Sequence, residues 1–210
     1  MNTPKVDNVL VIIMITACIA KYKEDCSWIN ELPCKYIVYD KSKDIPNVGR
    51  EAETYLRYII ENYHCLPEYV AFLQGHPFDH VKYTKPDFLE ILKQYNTGVF
   101  TEKFLPFNNI LHEEFSKWTR TDESFLALFD IPLPETVDFP PGAQFIVSND
   151  CIKSRPLEFY KIIRDVMINK NEKTYSKNNC LVCPWTIERM WPYIFNPAIP
   201  IRQIKEEDLV

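Results

Sequence analysis

The 210-residue chain predicts an α/β fold with a mixed, mostly parallel central sheet flanked by helices. Three observations point there. Short apolar runs rich in Val, Ile and aromatics recur at 9–16, 35–39 and 69–73. Helical patterns stand between them. The third run, Tyr69 to Leu73, is apolar at every residue, as in a strand covered on both faces. The order is βαβαβ, and right-handed crossovers would bring three carboxyl ends to one edge of the sheet.

The first strand is expected at Val9 to Thr16, where β-branched residues dominate. Its apolar run to Ala20 has the length of a signal-peptide core, but Asp7 and a single Lys5 make a poor leader. A twelve-residue run, apolar but for Thr16, also falls short of the roughly 20 needed to span a bilayer. The expectation is therefore a chain with no export signal of its own, no membrane span and a cytoplasmic location. A short helix follows at Asp25 to Glu31, then strand two from Lys35 to Tyr39, ending at Asp40. From Arg50 to Tyr63 the apolar positions Ala52, Tyr55, Leu56, Ile59, Ile60 and Tyr63 recur at helical spacing. Strand three and its polar end come next.

The second half is less regular. Asp87 to Tyr95 reads as an amphipathic helix and Val99 to Leu105 as a strand. Residues 106–141 read as irregular chain around a helix from Glu123 to Phe129. A strand at 143–148 precedes helix 156–168, and a last helix starts near Pro184 and stops or kinks at Pro192.

Composition narrows the function. A formal charge of −5 with no long Lys/Arg run argues against nucleic acid as a partner and leaves room for a local anion pocket. Only four glycines stand against sixteen prolines, so flexible linkers are absent. The seven cysteines are an odd number without a framework pattern, which suits reduced thiols. Cys180 and Cys183 form a lone C-x-x-C with no second pair at zinc spacing.

The stretch Glu68 to His80, EYVAFLQGHPFDH, changes abruptly from buried strand to polar, metal-capable groups. In open α/β sheets ligands bind beyond the carboxyl ends of strands. Gln74, Gly75, His76, Asp79 and His80 stand at such a place, although an ordinary surface turn would use Pro77 and Asp79 for geometry alone.

The segments NVGREAETYLRYIIENY, LPEYVAFLQGHPFDH, GAQFIVSND and ERMWPYIF together resemble the small sugar-nucleotide glycosyltransferases of GT-A fold related to one encoded by chlorella viruses. The resemblance covers roughly residues 9–195, and the segment ending in Asp79 and His80 is its most specific part. It implies a GT-A-like, Rossmann-like nucleotide-binding half at about 9–100 beside an acceptor half at about 101–195. It also implies a UDP-sugar donor, a glycan or glycoprotein acceptor, and manganese or magnesium under the diphosphate. Relatives of this kind decorate viral capsid glycans, which would mean host cytoplasm for a viral chain, alone or within a longer multidomain transferase. Where the family carries Asp-x-Asp, this chain has His76 to His80, which leaves Asp79 as the nearby carboxylate for the ion, with His76 or His80 as a further ligand or a phosphate contact.

Other roles follow from the resemblance. Thr16 and Ala17 fall where the fold meets uracil and ribose, and Asp40 where a carboxylate reaches the nucleoside. Arg50, at a helix start, would meet the nucleotide anion. Glu188 matches the general base of inverting members, with a salt bridge to Arg189 or Arg155 as its structural alternative. Trp118, Trp185 and Trp191 would stack on a sugar or line the core, and His112 would sit on a surface helix or hold a second metal. A metallohydrolase built on His64, His76, Asp79, His80 and His112, and a non-catalytic sugar-nucleotide-binding domain, are the competing classes.

Overall fold

A computed structural model describes residues 14–114, 135–171 and 184–201. Strands β1 (Ile15–Lys21), β2 (Lys35–Asp40) and β3 (Tyr69–Gln74) alternate with a 3-10 turn at Ser27–Glu31 and helix α1 (Arg50–Asn62). A second 3-10 turn, Pro77–Asp79, leads to α2 (Lys85–Asn96), β4 (Phe104–Pro106) and β5 (Leu111–Glu114). Then come β6 (Thr136–Phe139), β7 (Phe145–Ser148), α3 (Asn149–Lys153), α4 (Leu157–Asn171) and α5 (Pro184–Ile194).

The main sheet has the order β2-β1-β3-β7-β4. β1 pairs in parallel with both β2 and β3, whereas β7 is antiparallel to β3 and to β4. The sheet is therefore mixed, and the expectation of a mostly parallel one is corrected at its β7 side. The physical cause is local: the turn at Gly142 that leads into β7 is held against Gln74 at the carboxyl end of β3, so β7 runs back along β3 in the opposite direction. A separate two-stranded sheet pairs β5 with β6.

Side chains alternate across the sheet with a period of two. Cys18, Ala20, Val70, Phe72, Phe145 and Val147 face α1, α4 and α5 in one buried cluster. Ile15, Ala17, Ile19, Ala71, Leu73 and Ile146 face α2 and Trp28 in a second. β3 is covered on both sides, which is why its sequence shows no alternation. Tyr55 of α1 lies 4.8 Å from Phe72 and 6.0 Å from Trp191, ring to ring, so Trp191 is a core residue.

Helix ends are tied down by identifiable groups. Thr84 caps α2 by accepting from the Asp87 amide, which starts that helix at Lys85, two residues before the expected Asp87. α5 continues past Pro192 to Ile194. Its last carbonyls are met by Arg155, whose guanidinium donates to the carbonyls of Tyr193 at 2.9 Å, Ile194 at 2.8 Å and Asn196 at 2.8 Å. Orphan carbonyls at a helix end need such a donor.

Several expectations are revised. β1 runs on to Lys21, so Thr16 and Ala17 lie early in the strand, both buried; residues 9–13 lie outside the described residues. His112 is on β5, not on a helix. The expected strand 99–105 shortens to Phe104–Pro106. Helix 123–129, Trp118, Cys180 and Cys183 fall outside the described residues, and Cys18, Cys26, Cys34, Cys65 and Cys151 are free thiols. Among the described residues no helix is long and apolar enough to cross a membrane.

Candidate functional site

The register of the parallel strands, Lys21 opposite Asp40 and Ala20 opposite Gln74, brings three carboxyl ends to one edge. A cavity of about 410 Å³ opens there. Each strand end contributes a different chemistry. β1 supplies Lys21, Tyr22 and Glu24; the chain after β2 supplies Lys41, Asn47, Arg50 and Glu51; the chain after β3 supplies Gln74, His76, Asp79 and His80.

Lys21 and Asp40 act as one unit. The ammonium lies 2.9 Å from the Asp40 carboxylate, which also accepts from the backbone amide of Ser42 at 2.9 Å and from its hydroxyl. The Ser42 hydroxyl and Lys21 hold the Asp40 carboxyl down at about 2. Asp40 itself does not line the cavity, so its place is behind Lys21, fixing a cation that does.

Arg50 opens α1 at a left-handed φ of 49°, after Gly49 at 61°. A Cβ on Gly49 would lie 2.9 Å from Glu53 Cβ, and its left-handed φ strains any other residue. A left-handed Arg costs about 1–3 kcal/mol, and strain of this kind collects at ligand sites. Its guanidinium stands 5.1 Å above the Trp185 ring, within cation–π range. Trp185 is an exposed large apolar side chain that stands beside Arg50, outside the residues that line the cavity.

Lys41 reaches the cavity from a buried stem. Its ammonium donates to the Val48 carbonyl at 2.6 Å and lies 3.3 Å from Glu53 Oε2. Glu53 is fully buried and also holds Arg57 at 2.8 Å and Arg164 at 2.8 Å. Burial would raise the Glu53 carboxyl, but Lys41, Arg164 and Arg57 together outweigh it and hold the group low. Burial lowers Lys41 against the pull of Glu53. The two shifts disagree about how well the pair suits both charges. Glu53 has three cations and Lys41 one carboxylate, so Lys41 is the costlier member.

Glu51, the next residue along α1, was not singled out by the sequence. Burial raises its carboxyl above the usual range, and the nearby Glu188 pushes the same way, while its own backbone amide, Arg50 and Lys41 pull it down. Arg50 Nε stays 3.8 Å from Glu51 Oε2, beyond a hydrogen bond.

After β3 the expected residues separate into two groups. Gln74 lines the cavity, yet its amide donates to the Gly142 carbonyl at 2.9 Å. The Gly75 carbonyl accepts from Trp28 Nε1 at 2.8 Å and from the Cys26 thiol at 3.2 Å. Both therefore build the wall. His76 and Asp79 are exposed, with Nδ1 3.1 Å from Oδ2, and His80 stands beside them on the rim. Glu188 accepts from the Gly142 amide at 2.6 Å. Neither Arg189 nor Arg155 is its partner: Arg189 holds Glu113 at 3.0 Å, and Arg155 holds the end of α5.

Among the described residues no group of three or more His, Cys, Asp or Glu side chains could hold a metal ion. Asp79 and His76 are the donors closest to such a role. Two donors fit an ion that completes its shell from ligand oxygens and water, and they do not fit one caged by protein alone. His112 pairs with Asp138 at 2.6 Å on the second sheet. His64 lies just past the far end of α1, whose thirteen residues separate it from the cavity by about 20 Å.

A family model described as "Protein of unknown function (DUF3431)" matches residues 15–105 and 105–203. No curated protein and no solved structure matches the chain.

Proposed function

We propose that this chain, which belongs to the DUF3431 family, is a metal-dependent glycosyltransferase of GT-A-like fold that passes a sugar from a UDP-sugar to a glycan or glycoprotein acceptor. One observation carries the reading: Lys21 and Arg50 stand beside Glu24 and Asp79 in one cavity at the ends of parallel strands. A sugar nucleotide needs this mixture. Its diphosphate calls for fixed cations, and the hydroxyls of its ribose and sugar call for carboxylate acceptors. The volume also lies within the roughly 300–1,000 Å³ of small-molecule sites.

Within this reading Asp40 aims Lys21 at the diphosphate, and Arg50 meets the same charge from the N-terminus of α1. Asp79, with His76, would hold a manganese or magnesium ion whose other positions are filled by diphosphate oxygens and water. Bound there, the ion supplies Lewis-acid stabilisation of the leaving diphosphate. Trp185, beneath the Arg50 guanidinium, would steady that cation by its ring face. The metallohydrolase reading is weaker, because His64 and His112 stand away from His76, Asp79 and His80.

Thermal unfolding with UDP, GDP and CMP, each with and without Mn²⁺, tests the proposal. At about 100 times its dissociation constant a ligand stabilises by roughly 2.7 kcal/mol, or about 5–11 °C for a chain of this size. Wild type is expected to shift with UDP and Mn²⁺ together. Asp79→Ala, which removes an exposed side chain, should lose that shift and melt normally alone. A full shift in Asp79→Ala places the ion elsewhere. Tightly held zinc without UDP binding favours a hydrolase, and UDP binding without turnover of any UDP-sugar favours a non-catalytic binding domain.

A further inference from the structure

We propose that Glu51 is the base that takes the proton of the acceptor hydroxyl, an inference that rests on the transferase reading. Four observations place it. Glu51 lines the cavity and its side chain is 11% exposed, against 68% for Asp79, so it is the more desolvated of the two. Its carboxylate meets its own backbone amide and approaches Arg50 no closer than 3.8 Å, so no direct hydrogen bond from that cation occupies it. The charged groups around it are Arg50 on its own helix, Lys41 from the chain after β2 and Glu188 from α5. Burial is the largest influence and Glu188 adds to it, so the carboxyl stands above its ordinary value despite Arg50 and Lys41, the direction that strengthens a base.

Glu188 is less suited to the role. Its Oε1 is committed to the Gly142 amide at 2.6 Å, and it does not line the cavity. It acts on Glu51 instead, as a like charge that raises the basicity of its neighbour.

The step balances within the site. The acceptor O–H breaks and its proton passes to a Glu51 carboxylate oxygen. The freed oxygen pair forms the new bond to the anomeric carbon. The anomeric C–O bond to the diphosphate breaks, and its electron pair leaves on the diphosphate, where Lys21 and Arg50 meet the charge.

The test measures full-length wild type and Glu51→Gln by hydrolysis of UDP-glucose, UDP-galactose, UDP-N-acetylglucosamine and UDP-xylose, with water as acceptor, alongside UDP titration by calorimetry. Glu51→Gln is expected to lower turnover about 10²- to 10⁴-fold and to leave UDP affinity within about twofold. In wild type kcat/KM should fall as pH drops through the raised Glu51 value; in Glu51→Gln this acid limb should vanish. Glu51→Asp keeps the charge and should restore the limb at a reduced rate, which separates proton transfer from shape. Turnover and acid limb retained in Glu51→Gln, with UDP bound normally, overturn the assignment and leave the transferase reading standing. Equal loss of UDP affinity and turnover makes Glu51 a donor-binding residue and overturns it too. Wild type that hydrolyses none of the donors overturns both.

Discussion

Replacing Glu53 by Gln removes one buried charge and leaves three cations without it. Breaking a buried ion pair from one side costs about 3–5 kcal/mol, because the partner stays desolvated. The partners of Glu53 differ in how far they can escape. The side chains of Arg57 and Arg164 are 21% and 20% exposed and can turn to water, whereas Lys41, at 3%, cannot. The expected loss is therefore near the lower end, about 3 kcal/mol, equivalent to a fall in Tm of about 6–12 °C. Urea unfolding reads it directly. Because the cost sits mainly on Lys41, adding Lys41→Met to Glu53→Gln should recover at least about 1 kcal/mol, and a double-mutant cycle should show the coupling. A loss below about 1 kcal/mol for Glu53→Gln, or a simple sum of the two single losses, would refute the assignment of the strain to Lys41.

Arg50→Ala should weaken UDP binding at least about tenfold, since a charge-assisted hydrogen bond contributes roughly 1.5–3 kcal/mol; unchanged affinity by calorimetry removes Arg50 from the site. Asp40→Asn addresses acid stability. Asp40 is held at about 2 in the folded chain against an ordinary value near 4, so its contribution is complete above about pH 4 and disappears as pH falls through about 2. Wild type and Asp40→Asn should differ in stability at neutral pH and converge in strong acid. A gap that stays constant down to pH 2 contradicts the role given to Lys21 and Ser42.

The elements legible in the sequence are those with a strong local pattern. β2, β3 and α1 appear within a residue of their expected bounds, because KYIVY, YVAFL and the spacing from Ala52 to Ile60 each admit one reading. β1 was misplaced because a twelve-residue run, apolar but for Thr16, does not say which part of it pairs. Partners on β2 and β3 decide that, and they select the part ending at Lys21. Thr16 and Ala17 were lost from the site by the same shift. β5 and β6 are short, and β6 alternates exposed and buried residues over only four positions, too few to stand out from irregular chain. His76 and Asp79 stand out in the sequence as polar groups after an apolar run, and Arg50 as the residue that opens a helix; all three line the cavity. Glu51 carries no signal of its own in the sequence, being one of two acidic residues in the first turn of a helix, where such residues are ordinary. Lys41 and Glu53 were hidden by distance, since nothing local says that Arg164 will fold back onto α1.

The insertion of β7 between β3 and β4 sets a schedule for the chain as it is made. β3 is complete about seventy residues before β7 begins, an interval of several seconds at roughly 5–20 residues synthesised per second. During that time one edge of β3 is without its neighbour, and β4 has no partner in the main sheet at all. Unpaired apolar edges invite pairing with other chains. A fragment ending near residue 106 would keep Lys21, Arg50 and Asp79 in its sequence yet carry this open edge permanently. The cavity's residues come from the first half of the chain, while the right to fold without aggregating is conferred by the second.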